Sequence, residues 1–235
     1  MSRRDESVRG RRRWPWLVAG CVTVGLLIAA YFPLVYFPNW RPTPRAGEQL
    51  AIDVSHYQFD IDWRAVADDG VDVAYIKATE GGDWVDDYFA RNWDRSGAAG
   101  IRRGAYHFFT FCRSGAEQAA NFLRTVPDDP AALPPMVDLE YNGNCSDRPE
   151  PVEFRKQLEE FIRIVEDARG ARVLIYVMPD FDRNYGVLEH FDGPTAQRKI
   201  WYRPTNDRWL LWQATSWGNI DGIDGPVDID IWRGD

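Results

Sequence analysis

Apolar and polar positions in the first two thirds of the chain alternate between two patterns, each typical of one kind of element. Short β-rich runs predict strands at 50–55, 71–79, 102–111, 134–140 and 172–178. Helical periodicity between them predicts helices at 62–70, 87–100, 114–126 and 151–170. After residue 178 the pattern changes to three strands with little helix between them, predicted at 199–204, 209–215 and 226–232.

Strand–helix alternation is typical of a parallel sheet with right-handed crossover connections. Eight strands within residues 50–235 predict an α/β fold that closes as a modified TIM-type (β/α) barrel. It would contain about five β/α units plus three further strands. An open doubly wound sheet is the alternative, although the phosphate-binding glycine signature common in such folds is absent after the first strand.

An uncharged apolar stretch at residues 14–37 precedes the predicted barrel and is long enough to cross a bilayer as one helix. The arginines of residues 1–13 predict a cytoplasmic basic tail, which orients the chain with its folded domain outside the cytoplasm. Residues 38–49 are rich in proline and polar residues and predict a linker, so the domain occupies residues 50–235. We therefore expect an uncleaved membrane anchor; a cleaved signal peptide and lipidation at Cys21 are the alternatives.

Charge is unevenly divided along the chain. Residues 1–13 carry six arginines against two acids, a net charge of +4, whereas the remainder carries 22 basic and 34 acidic residues, a net charge of −12. An acidic domain without a basic face argues against nucleic acid as a partner. It favours a neutral or small ligand, or a polymer held by hydrogen bonds and stacking on some of the eleven tryptophans and ten tyrosines.

Two cysteines of the folded domain, Cys112 and Cys145, each follow the C-terminal end of a predicted strand. These strands are the third and fourth, and adjacent parallel strands lie about 4.8 Å apart, so the loops leaving them can meet within disulfide reach. A compartment outside the cytoplasm permits the bond. The sequence therefore predicts a Cys112–Cys145 disulfide, with two free thiols as the alternative.

Two carboxylates stand out in the fourth predicted strand, where the chain reads "PPMVDLEYNG". Because side chains alternate between faces along a strand, Asp138 and Glu140 share one face while Val137 and Leu139 take the other. In a barrel the apolar face packs on the helices. The two acids therefore point inward near the C-terminal end of their strand, where barrel enzymes carry out their chemistry.

The first and last predicted strands repeat this pattern with Asp53 and with Asp228 and Asp230. Barrel closure makes these strands neighbours, so we expect their acids to converge with Asp138 and Glu140, with Lys77 partly balancing the charge. Crowded carboxylates raise one another's pKa, and a carboxyl that stays protonated near neutral pH can act as a general acid. An ion pair or a helix cap is the alternative for each acid taken singly.

Metal and cofactor chemistry finds little support, since the three histidines lack ligand spacing. An all-carboxylate magnesium site is the alternative to a metal-free cleft. No cofactor is expected.

Seven segments in order resemble glycoside hydrolase family 25, the bacterial and phage lysozymes. They are "IDVSHYQ" at 52–58, "DWRAV" at 62–66, "AYIKATEG" at 74–81, "GAYHFF" at 104–109, "VDLE" at 137–140, "WQAT" at 212–215 and "VDIDIW" at 227–232. Together they extend over the whole predicted domain. One departure is "IWYRP" at 200–204, where the family usually shows W-x-A followed by an aromatic residue.

The resemblance implies a lysozyme (N-acetylmuramidase) that hydrolyses the β-1,4 bond between N-acetylmuramic acid and N-acetylglucosamine in peptidoglycan. It implies Glu140 as the general acid, Asp138 as a helper, and Asp53 and Asp228 in the same cleft. Residues expected to bind substrate or support the site are Tyr75, Lys77, Tyr106, Trp201 and Gln213. We further expect a monomer that acts on glycan strands outside the cytoplasm. A chitinase-like hydrolase and a non-catalytic glycan-binding barrel are the alternatives.

Overall fold

The first element is a helical segment that contains the predicted apolar span. In the computed structural model, which describes residues 14–234, its parts are α1 Trp14–Tyr31, a π-helical turn Phe32–Tyr36 and α2 Phe37–Asn39. Pro33 lies in the π turn, where its missing N–H removes one helical hydrogen bond. Trp16–Asn39 is long enough for a membrane span and contains an 18-residue window with a mean hydropathy of 2.2, properties that a signal sequence can share.

The chain divides into two compact units, Met1–Trp40 and Arg41–Asp235. The basic tail predicted at residues 1–13 lies outside the described residues. Residues 41–48, from the predicted linker, contact the barrel of the second unit. The Arg41 guanidinium pairs with the Asp69 carboxylate at 2.6 Å, and Glu48 pairs with Arg203.

The second unit is a closed barrel of eight strands with one additional two-residue strand. The strands are β1 Gln49–Val54, β2 Val73–Glu80, β3 Trp84–Val85, β4 Arg102–Phe108, β5 Met136–Leu139, β6 Leu174–Val177, β7 Thr195–Arg198, β8 Trp209–Gly218 and β9 Val227–Trp232. Around the barrel they follow the order β1-β9-β8-β7-β6-β5-β4-β2, pairing of β1 with β2 closes the ring, and β3 lies beside β2. The predicted modified β/α barrel is confirmed.

Helices follow five of the strands and form the predicted β/α units. They are α3 Trp63–Asp68, α4 Phe89–Ala98, α5 Gly115–Thr125, α6 Pro151–Arg169, and the short pair α7 Pro179–Tyr185 and α8 Val187–His190. Ser114 and Glu117 form the predicted capping box at the start of α5. The backbones of α5 and α6 approach closely at Gly115, where a Cβ would lie 1.9 Å from the Gln157 carbonyl oxygen. A larger residue at this position would therefore separate the two helices.

The last strand, β9, runs antiparallel to both of its neighbours, β1 and β8, whereas strand–helix alternation predicted parallel pairing. The connection between β8 and β9 covers only residues 219–226. A parallel crossover needs a dozen or more residues, so a connection of this length returns the chain as a hairpin. Because β9 runs in the reverse direction, Asp228 rather than Asp230 lies nearer the open end of the barrel.

The sixth barrel strand is not where the pattern predicted it. Residues 199–204 form no strand, and the pairing with β6 and β8 is made by Thr195–Arg198 instead. Trp201, with a φ of 66°, lies in the irregular connection from β7 to β8. The prediction was wrong because the connection contains β-prone side chains, which give the sequence pattern of a strand. The actual strand is short and includes the polar residues Gln197 and Arg198.

The barrel interior is layered along its axis. Its floor is an apolar cluster in which every strand of the ring contributes to a close-packed layer: Ala51, Val73, Tyr75, Tyr106, Leu133, Met136, Leu174, Ala196, Leu211 and Trp232. Gly104 makes room for the Tyr75 ring, since a Cβ at this position would lie 2.4 Å from it. Above the floor the interior positions become polar, which leaves an open cleft at the C-terminal ends of the parallel strands.

The predicted disulfide between Cys112 and Cys145 is present and joins the loops that follow β4 and β5. Their Cα atoms lie 6.1 Å apart. By the chain-entropy relation, closing a loop of this length stabilises the fold by about 3 to 4 kcal/mol. The bridge therefore braces the rim of the barrel beside the strand that carries Asp138.

Candidate active site

A cleft of about 720 Å³ opens above the apolar floor, at the end of the barrel where its chemistry was predicted. The strand ends bring six acids from four strands together with two basic side chains. The charged lining residues are Asp53, Lys77, Glu80, Asp138, Glu140, Arg198, Asp228 and Asp230. The four acids implicated by the sequence, Asp53, Asp138, Glu140 and Asp228, therefore line one cleft, as predicted.

Asp138 and Glu140 come from β5 and the residue directly after it, and both line the cleft. Met136, two residues earlier, belongs to the floor, while Val137 and Leu139 are fully buried on the opposite face. Residues two apart on a strand lie about 6.5 to 7 Å apart at the backbone. Asp138 is therefore the deeper acid, and Glu140 stands at the rim.

The backbone at Glu140 is held by Asn144, in the loop that carries the disulfide. The Asn144 amide donates to the carbonyl oxygens of Glu140 and Phe109 at 3.0 and 2.9 Å. Its side-chain oxygen accepts from the backbone N–H groups of Phe111 and Cys145, each at 2.9 Å. One side chain thus ties the loops after β4 and β5 together and fixes the point where Glu140 leaves its strand.

Asp53 and Asp228 face the cleft from neighbouring strands and are direct partners in the antiparallel β1–β9 ladder. Such partners have Cα atoms about 4.5 to 5.5 Å apart. In the ring of eight strands, β9 lies directly across from β5, with three strands between them on either side. Asp228 and the Asp138–Glu140 pair therefore face each other across the cleft.

A chain of hydrogen bonds orients the Asp53 carboxylate. The Tyr176 hydroxyl donates to the Gln213 side-chain oxygen at 3.0 Å, and the Gln213 amide donates to Asp53 Oδ2 at 3.2 Å. Gln213 was predicted as a supporting residue, whereas Tyr176 was missed. Its signal was present in "RVLIYVM", where the tyrosine hydroxyl is the one polar side-chain group between Arg172 and Met178.

Burial raises the pKa of the four acids implicated by the sequence, Asp53, Asp138, Glu140 and Asp228. For Asp53 and Asp138 burial is the largest cause, followed by Asp228 for the first and Glu140 for the second, and both pKa values rise well above the ordinary range. Burial also raises the pKa of Glu140, with the Lys77 ammonium opposing the rise. A carboxyl at the rim with a raised pKa can keep its proton to higher pH, which is a property that a general acid needs.

Lys77 lies in the cleft wall on β2, as predicted from its alternation with Ile76 and Ala78. Its ammonium pairs with the Glu80 carboxylate at 2.8 Å and lies over the rings of Trp84 and Phe108. Its side chain is nearly buried, so its charge acts on the acids through little solvent.

Asp230 is fully buried beneath Asp53 and Asp228. No hydrogen-bond donor within residues 14–234 reaches either of its carboxyl oxygens, and its side chain contacts that of Asp53. Burial and then the Asp53 charge raise the pKa of Asp230 well above its ordinary value. A protonated Asp230 can donate a hydrogen bond to the Asp53 carboxylate. It would then support Asp53 from below without adding negative charge to the site.

Asp230→Asn is expected to raise the free energy of unfolding at pH 7 by about 1 to 3 kcal/mol, because the wild type must hold a proton on Asp230, at a cost of about 1.4 kcal/mol for each unit by which folding raises its pKa. The folded protein keeps a proton here above about pH 4, where the unfolded chain has released it, so stability falls as pH rises toward the raised pKa. The amide of an asparagine can donate a hydrogen bond to Asp53 without first binding a proton from solution. Thermal unfolding at pH 4 and pH 7 should show that the stability gained by the variant is larger at pH 7. Asp224→Asn, at an exposed position, is the control. An equal gain in stability at both pH values would contradict the prediction.

The structure brings most of the predicted site residues to the cleft and leaves two outside its lining. Tyr106 and Gln213 line the cleft with the acids and Lys77. Tyr75 is buried in the floor, where its hydroxyl donates to the Pro134 carbonyl oxygen at 3.1 Å. Trp201 lies on the β7–β8 connection and is not among the lining residues.

Arg198 lines the cleft and was missed, because the sixth strand was predicted four residues too late. The correct register shows it as the second inward residue of β7, after Ala196. Within residues 14–234, no group of three or more His, Cys, Asp or Glu side chains is arranged to hold a metal ion.

Several known proteins are similar to this chain in sequence or in fold. A solved structure of a family 25 glycosyl hydrolase from Bacillus anthracis superposes with a TM-score of 0.75 at 32% identity, covering 83% of this chain and 93% of that one. Protein YegX of Escherichia coli (strain K12) is 36% identical over 216 residues, which are 85% of this chain and 78% of YegX. Lysozyme M1 of Streptomyces globisporus is 31% identical over 209 residues, covering 82% and 70% of the two chains.

The family model described as "Glycosyl hydrolases family 25" matches residues 52–223, which include most of the barrel and three of the four implicated acids. The match agrees with the ordered motifs, the fold and the solved relative. The predicted resemblance is confirmed: the chain belongs to glycosyl hydrolase family 25 and is a glycoside hydrolase.

Proposed function

We propose that this protein is a lysozyme that hydrolyses the β-1,4 bond between N-acetylmuramic acid and N-acetylglucosamine in peptidoglycan. One observation carries the proposal: Glu140 and Asp138 stand two residues apart in a cleft whose opposite wall presents Asp228 beside Asp53. Membership of family 25 and the likeness to lysozyme M1 support the same substrate. The cleft is complete within one chain, which supports a monomer.

Glu140 is the proposed general acid, since it stands at the rim with a raised pKa and can protonate the leaving glycosidic oxygen. Asp138 lies one step deeper, which is unsuited to direct attack on the anomeric carbon. We assign it the role of orienting the substrate's 2-acetamido group, whose carbonyl oxygen attacks instead. Water then attacks the anomeric carbon and breaks its bond to the acetamido oxygen, while Glu140 accepts the proton of the water, so the products retain configuration without a covalent enzyme intermediate. Inversion through a water held by Asp53 or Asp228 is the second pathway.

The direct test incubates the detergent-solubilised full-length protein with purified peptidoglycan and identifies the products by mass. Muropeptides with a reducing N-acetylmuramic acid end are the expected result. Products with a reducing N-acetylglucosamine end would contradict muramidase activity. Release of sugar from chitin alone would identify the chitinase-like hydrolase, and binding without cleavage would identify a glycan-binding barrel.

We further propose that the apolar helix is an uncleaved anchor that keeps the N-terminus in the cytoplasm and the barrel on the cell-wall side. The support is the apolar length of Trp16–Asn39 and the arginines of residues 1–13. A reporter fused after Asp235 is expected to be active only outside the cytoplasm and to stay in the membrane fraction. Activity in the cytoplasm would reverse the orientation, and a soluble, shortened product would identify a cleaved signal sequence.

A further inference from the structure

Arg198 is a basic side chain at the open end of β7 that the assigned chemistry does not use. Ala196, two residues earlier, belongs to the floor, so Arg198 faces the same interior one layer higher and lines the cleft. In the ring of eight strands, β7 lies directly across from β2, which carries Lys77. The two cations therefore occupy opposite walls, between the walls that carry the acids.

The two cations differ in how their charge is satisfied. Lys77 is nearly buried and already holds Glu80. Arg198 is half-exposed, and its guanidinium forms no hydrogen bond or ion pair with any other residue in the described range 14–234. Arg198 is thus a positioned cation with its donors open to the cleft.

The Arg198 charge influences the pKa of Glu140 and of Asp228, although neither acid pairs with the guanidinium. Burial raises the pKa of Glu140 and of Asp228, and the positive charge of Arg198 partly offsets the rise in each case. If Arg198 served only as a counter-ion, direct pairing with one of these acids would be the expected geometry. The open guanidinium instead leaves its five donors available to a ligand.

The chemistry of that ligand follows from the charges around it. A planar guanidinium fork matches a carboxylate with two parallel hydrogen bonds. Lys77, the other cation among the charged lining residues, already holds Glu80, so Arg198 is the place where an anionic group of the substrate is best accepted. Peptidoglycan carries such groups on its muramic acid residues, whereas chitin is a neutral β-1,4-linked polymer.

We propose that Arg198 binds a carboxylate attached to the muramic acid residue next to the scissile bond and makes the cleft prefer peptidoglycan over neutral glycans. The inference rests on the proposed muramidase function. The carboxylate has two possible sources: the lactyl group itself where no peptide is attached, or the stem peptide where the lactyl group is amidated. Both present the same chemistry to the guanidinium.

The test compares Arg198→Gln with the wild type, using full-length protein in detergent on two glycan preparations. One preparation carries intact stem peptides, and the other is stripped by an amidase so that the lactyl carboxylate is free. Each is also used after its carboxylates have been converted to amides. Arg64→Gln, at an exposed arginine on α3 outside the cleft, is the matched control, and thermal unfolding verifies that each variant is folded.

The expected result is that Arg198→Gln lowers kcat/KM by about 10- to 100-fold on an anionic preparation, mainly through KM, and changes it little on the amidated form. Arg198→Lys should retain part of the preference, because it keeps the charge and loses the fork. Loss confined to intact strands identifies the stem peptide as the source, and loss confined to stripped strands identifies the lactyl group.

An equal loss on anionic and amidated glycans would overturn the inference, because Arg198 would then act only on the catalytic acids. No loss on any preparation would overturn it as well. These outcomes differ from failure of the proposed function, in which the wild-type protein itself releases no reducing muramic acid ends from any preparation.

Discussion

Glu140→Gln is expected to lower kcat on peptidoglycan by about two to four orders of magnitude, the usual contribution of a general acid. Glutamine fills the same space at the rim of the barrel but has no proton to give to the leaving oxygen. The Asn144 side chain donates a hydrogen bond to the carbonyl oxygen of residue 140, so the backbone at this position should not move. Initial rates of reducing-end release measure the effect.

The pH profile gives an independent readout of the same role. Because the acid must be protonated, wild-type activity should fall as pH rises through the raised pKa of Glu140, and this dependence should disappear in Glu140→Gln. Glu189→Gln, at an exposed acid on α8, is the matched control and should behave as wild type. Near-normal activity in Glu140→Gln would overturn the assignment of the acid.

Asp138→Asn is expected to lower kcat by about two to three orders of magnitude, the range for loss of one preorganised electrostatic group. The amide keeps the shape of the side chain but cannot stabilise the positive charge that develops as the acetamido oxygen attacks. The fold should be intact, because burial and Glu140 already make an ionised Asp138 costly. Thermal unfolding should therefore show no loss of stability.

Proton NMR of the first-formed product distinguishes the two pathways. Retention at a β-1,4 bond gives the β-anomer first, before mutarotation mixes the two forms. An initial α-anomer would contradict substrate assistance and favour a water held by Asp53 or Asp228. Mass spectrometry of the trapped enzyme should detect no glycosyl adduct, since the proposed intermediate is attached to the substrate's own amide.

The proposed catalysis and the proposed specificity use different walls of one barrel. The proposed chemistry uses β5 with β1 and β9, whereas the proposed selectivity uses β7. The Tyr176–Gln213–Asp53 hydrogen bonds orient the Asp53 carboxylate from β6 and β8 and include no residue of β7. Changes on β7 can therefore alter substrate preference while leaving the acids in place.

The sequence by itself determined the features that depend on near neighbours in the chain. Strand alternation has a period of two, so "VDLE" was sufficient to put Asp138 and Glu140 on one face. The Ser114 capping box spans four residues, and the apolar helix is a continuous run. The order of strands and helices was enough to predict a closed barrel, because short crossovers admit few topologies.

Only the tertiary structure decided the features that depend on contacts between distant residues. The Gln213–Asp53 hydrogen bond joins positions 160 residues apart, and no local pattern contains it. The short β8–β9 hairpin reversed β9 and buried Asp230 below Asp228. The strand Thr195–Arg198 exists because β6 and β8 provide its pairing partners, although its own residues are weakly β-prone. That pairing turned Arg198 into the cleft, since the direction of a side chain in a barrel is set by register with its neighbours.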